Sequence, residues 1–540
     1  LGGSLVVADG SRLHLNNLLG NDQAPSLGTD SGATRSLTLG STTGATVLWD
    51  PSTTAATSVA GNVTLAGTNV IQLSGTHPGG TKTLLSYSGS LTGGMSNLSL
   101  PGGMASYRAG TVFSLVPGTP NLIQLTMVSQ NLTWTGASNG NWNFADNNWT
   151  GTTFVNGDNV TLDDSPAAAS PITITLTTNV APNSISVNNP SKNYTISGSS
   201  ILTGNASLSK NGAGSLTLSG TTAHTFSGPV ALQAGALYVA STAGLGSGNT
   251  LELSGGTLAS NNTTAVTLAR NVILNGSVQL GDSGRTGTLT FNGVHTFANS
   301  TMNAFLGTTC NFAGQNTLPT QLTISTPFSG ASNASCSFTG SNLMTGNLKL
   351  ITPAAFNSSN IVNINGTLTD GENAFTLTKE GAGALRLSAL NEYDGNTTIK
   401  EGTIIAFHFR AFGTGDVIVE NSAQAYLSAA GTYANHFQIA GNGQTLNGLS
   451  NTSPDGAIHL NASNQFLTGN IVLSDHARIA SYFSSSNNIV SGTISETMSE
   501  PPSPKNLSLG NPGAANGCGT LTIAGHNTYT GNTTIHRIVL

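Results

Sequence analysis

The side chains able to do chemistry are few in this chain and lie far apart. Among 540 residues there are 22 acidic and 16 basic side chains, ten histidines and three cysteines. Cleavage of a polysaccharide needs two carboxylates at a set separation, or an acidic calcium cluster beside a base. Asp163 and Asp164 are adjacent, so on a strand they face opposite ways and cannot act as a pair. Asp158, in a Gly-Asp turn, reads as a turn carboxylate, with calcium ligation as the alternative. The histidines form no H-x-H or H-E-x-x-H pattern, which argues against zinc. "FHFR" around His408 reads as a strand with alternating faces. "GLGSGN" from Gly244 reads as a turn, since no Lys and helix follow as a phosphate loop requires. The expectation is therefore no enzyme, no metal and no cofactor.

Two other sets of residues carry specific chemistry. "LTWTGASNGNWNFADNNWTGTTFVNGDNVTLDD" holds Trp134, Trp142 and Trp149, three of the four tryptophans. They read either as an aromatic cluster stapling an irregular segment or as a platform on which a glycan stacks. The cysteines, Cys310, Cys336 and Cys518, are odd in number and lack C-x-x-C, so no thiolate metal site is expected.

These residues must be positioned by a chain of unusual composition. Charged residues make up 7%, aromatics 6% and apolar residues 37%, with 67 glycines; an ordinary domain carries about 25% charge. Abundant Gly, Asn, Ser and Thr suit short strands joined by tight turns. A net charge of −6 without a basic stripe argues against nucleic acid. No apolar run reaches the roughly 18 residues of a membrane-spanning helix. The opening "LGGSLVV" has no Met and no charged-then-apolar leader, as expected if a leader was removed or lies outside the sequence.

Self-similarity sets the architecture. "LSKNGAGSLTLSG" from Leu208 and "LTKEGAGALRLSA" from Leu377 share apolar-Ser/Thr-Lys, a Gly-Ala-Gly turn and alternating leucines, and "CGTLTIAGHNTYTGNTTIHRIVL" is a partial third copy. Each copy is strand, Gly turn, strand, Gly turn, strand. Alternation gives each strand one buried face, and a repeat near 22 residues is one turn of a parallel β-solenoid. The expected fold is all-β, a right-handed parallel β-helix of on the order of 20–25 rungs. Leu208, Leu216, Leu218, Leu377, Leu385 and Leu387 are expected inside. The expected organisation is a solenoid segment over 1–130, a Trp-rich segment over 131–170 and solenoid repeats over 171–540. "SETMSEPPSPKN" reads as an excursion loop near 496–507. The 26-residue gap between Cys310 and Cys336 is about one rung, which would stack them and allow a disulfide, with two buried free thiols as the alternative. Asn-x-Ser/Thr sequons, such as those at Asn62, Asn97, Asn205, Asn396 and Asn532, read as asparagines stacked at successive turns.

The chain resembles the bacterial autotransporter-associated β-strand repeat proteins through "SLSKNGAGSLTLSG", "TLTKEGAGALRLSALNEYDGNTTIKEGTI" and "GTLTIAGHNTYTGNTTI". The Trp-rich stretch followed by "FVNGDNVTLDD" strengthens the likeness. The resemblance implies a right-handed parallel β-helix and an exported, cell-surface or extracellular location. No segment resembles the C-terminal membrane barrel of an autotransporter, and the last repeat has Arg537 and Ile538 where "TTIKE" is followed by Gly402.

Two functions from different classes follow. The first is a structural subunit stacking head to tail into a homopolymer through Leu5, Val6, Val7 and Leu13 at one end and Ile535, Ile538, Val539 and Leu540 at the other. Joined on paper, "GNTTIHRIVL" and "LGGSLVVADGSRLHL" read like the uninterrupted "GNTTIKEGTIIAF…GTGDVIVENSAQAYL". A chain cut from a longer repeat array would look the same. The second is a passenger-type adhesin contacting glycans or surface polymers.

Overall fold

A computed structural model of the chain describes residues 4–15, 26–27, 35–49, 51, 56–73, 79–240, 244–248, 250–329, 332–353, 361–444, 455–481, 487–498, 503–510 and 520–536. The chain forms two compact units, Leu1–Leu251 and Glu252–Leu540.

In the first unit, short strands of alternating apolar and polar residues stack in parallel. Leu5–Val7, Leu37–Leu39, Val63–Leu65 and Leu91–Thr92 form one ladder, with Leu5, Leu37, Val63 and Leu91 in one column. Arg12–Leu15, Thr46–Trp49, Asn69–Leu73 and Leu98–Ser99 form a second. The parallel order then breaks. Val112–Val116 and Asn121–Met127 make an antiparallel hairpin, and its second strand pairs antiparallel with Gly80–Tyr87. A short turn permits this, whereas a parallel pairing needs a longer crossover. One hydrophobic cluster runs from Val7 to Met127 through these elements.

Parallel rungs resume with Asn131–Thr133, Asn159–Asp163, Ser184–Asn188, Ser207–Lys210 and Val230–Leu232 on one ladder. Ile172–Leu176, Tyr194–Gly198, Ser215–Leu218 and Ala236–Val239 form another. The second unit repeats the plan. Leu348–Ile351, Leu377–Glu380, Thr397–Ile399 and Val417–Val419 stack in one column of strands. Ile361–Ile364, Ala384–Leu387, Gly402–Ala406 and Ala423–Leu427 stack in a second.

The chain is a right-handed, mostly parallel β-solenoid of about 19 turns. The six leucines expected inside are each at most 1% exposed. The count falls below the expected range because rungs are unequal. Leu377 is in register with Thr397, but Leu5 pairs with Leu37 and Ala425 with Ile458, across longer excursions. Helix among the described residues amounts to two single 3-10 turns, Met95–Asn97 and Met104–Ser106, and no helix is long and apolar enough to cross a membrane.

Candidate functional site

The repeat's own signature is its lysine. Lys210 and Lys379 occupy inward positions whose neighbours on adjacent rungs are Val187 and Leu232, and Leu350 and Ile399. Both lysines are fully buried. A buried ammonium requires acceptors, and the glycine turns supply them. Lys379 Nζ donates to the carbonyls of Glu380 (3.0 Å), Gly381 (2.6 Å) and Glu401 (3.1 Å). Lys210 Nζ donates to Gly212 O and to Ala234 O (3.2 Å). Each amine thus ties the turn of its own rung to the turn of the next. Burial lowers Lys210 to about 8 and Lys379 to about 7, with the Glu401 and Glu380 carboxylates opposing the shift at Lys379. Gly235 and Gly402 complete the nest at φ of +69° and +73°. A Cβ on Gly402 would lie 2.9 Å from Lys379 Nζ and overlap the carbonyls of Gly381 and Gly383.

Asparagines clamp the rungs on the outside. Asn62 Oδ1 accepts the Ser90 N–H (2.8 Å), and Asn396 Oδ1 accepts that of Asp416 (3.0 Å). Asn183 donates to Asn159 (2.7 Å), which donates to Asn131 (2.9 Å), a stacked amide ladder. Four sequon asparagines, Asn62, Asn131, Asn159 and Asn396, are thereby engaged in holding successive rungs together.

The Trp-rich segment is a core and not a platform. Trp134, Trp142 and Trp149 are 1%, 0% and 3% exposed, and Trp149 meets the other two edge to face with ring centroids 5.0 Å apart in both pairs. Trp142 also meets Phe154 edge to face at 5.4 Å. Rings in such geometry are held by their quadrupoles and offer no face to a sugar, which corrects the glycan expectation for these three residues. Asp158 is equally committed. Its carboxylate accepts Arg108 Nε and Nη2, both at 2.6 Å, and the N–H groups of Gln130 and Val155. With both oxygens so occupied, it is a structural anion and not a calcium ligand. Asp163 and Asp164 bind different partners, Ser165 and the Ser191–Lys192 turn. No cluster of three metal-ligating side chains occurs among the described residues.

Cys310 lies in direct register with Cys336, and both are buried free thiols. This corrects the disulfide expectation. In-register parallel strands hold parallel side chains about 4.8 Å apart, beyond the roughly 3.8 Å Cβ separation a disulfide prefers. Burial raises Cys310 to about 12 and Cys336 well above its ordinary value. Cys518 lies outside the described residues.

At the edges, Leu5–Val7 pairs on one side with Leu37–Leu39, and Thr533–His536 on one side with Leu507–Gly510. Val7 is buried, and Leu5 and Leu13 pack partly against the same core. Val6 is 67% and Ile535 51% exposed. Ile538, Val539 and Leu540 lie outside the described residues, as does part of the 496–507 excursion.

One exposed cluster escaped the sequence reading. "FHFR" is not a strand: Gly402–Ala406 ends first, and Phe407–Arg410 turn out into solvent. Phe407 and Phe409 are 43% and 36% exposed. The signal was present in the sequence, since two aromatics, a His and an Arg in succession are rare in so aromatic-poor a chain.

Stacked rungs, with lysines spent on turn carbonyls and carboxylates on backbone amides, set out the architecture. This β-solenoid and its repeat match an autotransporter passenger-type surface protein and fit an extracellular or cell-surface location. Residues 208–239, 377–406 and 515–536 match the Passenger-associated-transport-repeat family. The first two segments each contain a buried-lysine nest with the four strands around it. No curated protein and no solved structure matches the chain.

Proposed function

We propose that the chain is the displayed portion of a surface adhesin, a solenoid whose side turns contact glycans or surface polymers. The passenger-type repeat carries this reading, and it supports the adhesin more directly than the head-to-tail polymer. The geometry agrees with a scaffold role: the repeat's distinctive polar groups serve the rungs, leaving recognition to exposed turns. The test is retention of the purified 540-residue chain on glycan-coated and cell-derived surfaces, with negative-stain imaging of the same sample. Retention of separate particles supports the adhesin. Absence of retention on every surface sinks it.

Head-to-tail self-association is the second reading. Ile535, in register with the buried Leu509 yet 51% exposed, and Val6, 67% exposed, each on a strand with one described neighbour, are the observation in its favour. Long uniform fibres, lost on Val6→Lys or Ile535→Lys, would favour it.

A further inference from the structure

The solenoid's most distinctive exposed cluster is the turn after Gly402–Ala406. Its backbone is tied down on several sides. Ala411 N–H donates to His408 O (3.0 Å), Arg410 N–H to His408 Nδ1 (3.1 Å), and Asn391 Nδ2 to Ala411 O (2.6 Å). His408 stacks on Phe409 with centroids 4.5 Å apart and planes at 25°. Gly431 lets the next rung approach the same ring, since a Cβ there would lie 2.8 Å from Phe409 Cδ1. The ring is braced, and Phe409 as a whole stays 36% exposed.

Beside it opens a cleft of about 390 Å³ lined by Phe409, Arg410, Thr414, Thr432 and Asn435 among others. Asn435 is 7% exposed and fixed by donating to Gly413 O (3.2 Å) and Gly415 O (2.7 Å). Asp394 accepts the Thr414 hydroxyl at the margin (2.6 Å). Above Phe407 stands a second guanidinium, that of Arg386, 4.3 Å from the ring centroid. The ion pairs among the described residues include neither Arg386 nor Arg410. In a chain with 16 basic residues, Arg410 is the cation that lines the cleft, while Arg386 and Phe407 lie outside that lining.

We infer that this cleft binds an acidic oligosaccharide. A sugar's C–H face packs on an exposed ring, its hydroxyls pair with Thr and Asn, and a carboxylate or sulfate suits a guanidinium. Cleft size and a few fixed polar groups fit a small-ligand site. The inference rests on the adhesin reading and gives it a location at Phe409, 260 residues along the chain from Trp149.

The test is ligand-observed NMR titration of the full chain with sialyl-, uronate- and sulfate-terminated oligosaccharides and their neutral counterparts. At least one acidic probe should bind tenfold or more tighter than its neutral partner, and more weakly at high salt. Phe409→Ala and Arg410→Ala should each weaken it tenfold or more with unchanged thermal unfolding. Phe144→Ala, removing an exposed ring elsewhere, should leave it unchanged. Binding by no acidic probe, or binding indifferent to both substitutions, overturns the site. Surface retention that survives both substitutions would leave the adhesin reading standing while removing this location; no retention by the unaltered chain would remove both.

Discussion

Replacing Lys379 with Met asks whether the repeat lysine holds the solenoid together or merely survives inside it. Two effects oppose. Burying an ammonium costs several kcal/mol, and apolar replacements of buried ionic groups are often neutral or stabilising. That rule assumes both partners can be exchanged for apolar groups. Here the partners are main-chain carbonyls of Glu380, Gly381 and Glu401, which no substitution removes. Glu380 O also accepts the Thr352 N–H, so the loss falls chiefly on the other two. These acceptors are part-buried, so each loses less than the roughly 1–3 kcal/mol of a fully buried unsatisfied group, and with part regained from relief of desolvation the net loss is about 1–2 kcal/mol. Met fits between Leu350 and Ile399, so a cavity adds little. Solenoids need not unfold as one unit, so the assay is native-state hydrogen exchange at Lys400 and Thr403, whose N–H groups bond to Lys379 O and Gly383 O. Faster exchange at these amides than at distant rungs is expected. Unchanged or slower exchange would refute the argument and leave the lysine's recurrence without this explanation.

Gly402→Ala should destabilise by several kcal/mol through φ of +73° and carbonyl overlap, while Gly371→Ala, at φ +69° with open space around it, should cost only about 1 kcal/mol; paired denaturation curves measure the difference. His224 and His459 are 3% and 2% exposed, and burial lowers both to about 4. The unfolded chain therefore binds more protons between about pH 4 and 6.5, so stability is full above that window and falls as pH drops through it, by about 3 kcal/mol per histidine. A stability profile flat from pH 7 to 4 would contradict this. Cys310 and Cys336 should resist thiol reagents in the folded chain and both react after unfolding without a reductant; a mass two hydrogens short would show a disulfide instead.

The fold was legible because two periodicities coincide. Leu216 and Leu218 alternate along a strand, and the same pattern recurs at Leu385 and Leu387, so strand and stack are both written in the residues. The antiparallel hairpin Val112–Val116 with Asn121–Met127 was not legible, because alternation along a strand carries no direction of pairing. The tryptophans illustrate a second limit. Three aromatics in a polar, Gly- and Asn-rich stretch suit a buried staple or a sugar platform equally, and only the edge-to-face packing around Trp149 separates the two. For the cysteines, spacing predicted the register but not the parallel side-chain vectors that work against a bond.

The repeat lysine and the "FHFR" turn show why one motif can serve as scaffold and display at once. In both copies with described nests, the inward half is constrained: Lys379 and Gly402 must meet three carbonyls, as Lys210 and Gly235 meet theirs. The chain after the nest is not so constrained. After Ala236–Val239 the sequence runs on as "ASTAGLG", and after Gly402–Ala406 as "FHFRAFG". These stretches begin at the same position of the rung, one residue after Val239 and Ala406, which are in register with Leu218 and Leu387. A solenoid tolerates such exchange because each rung contacts only its neighbours, and a turn that leaves the ladder alters no register. Substitutions that change binding without changing stability should therefore concentrate in that stretch, and those that change stability in the lysine–glycine nest.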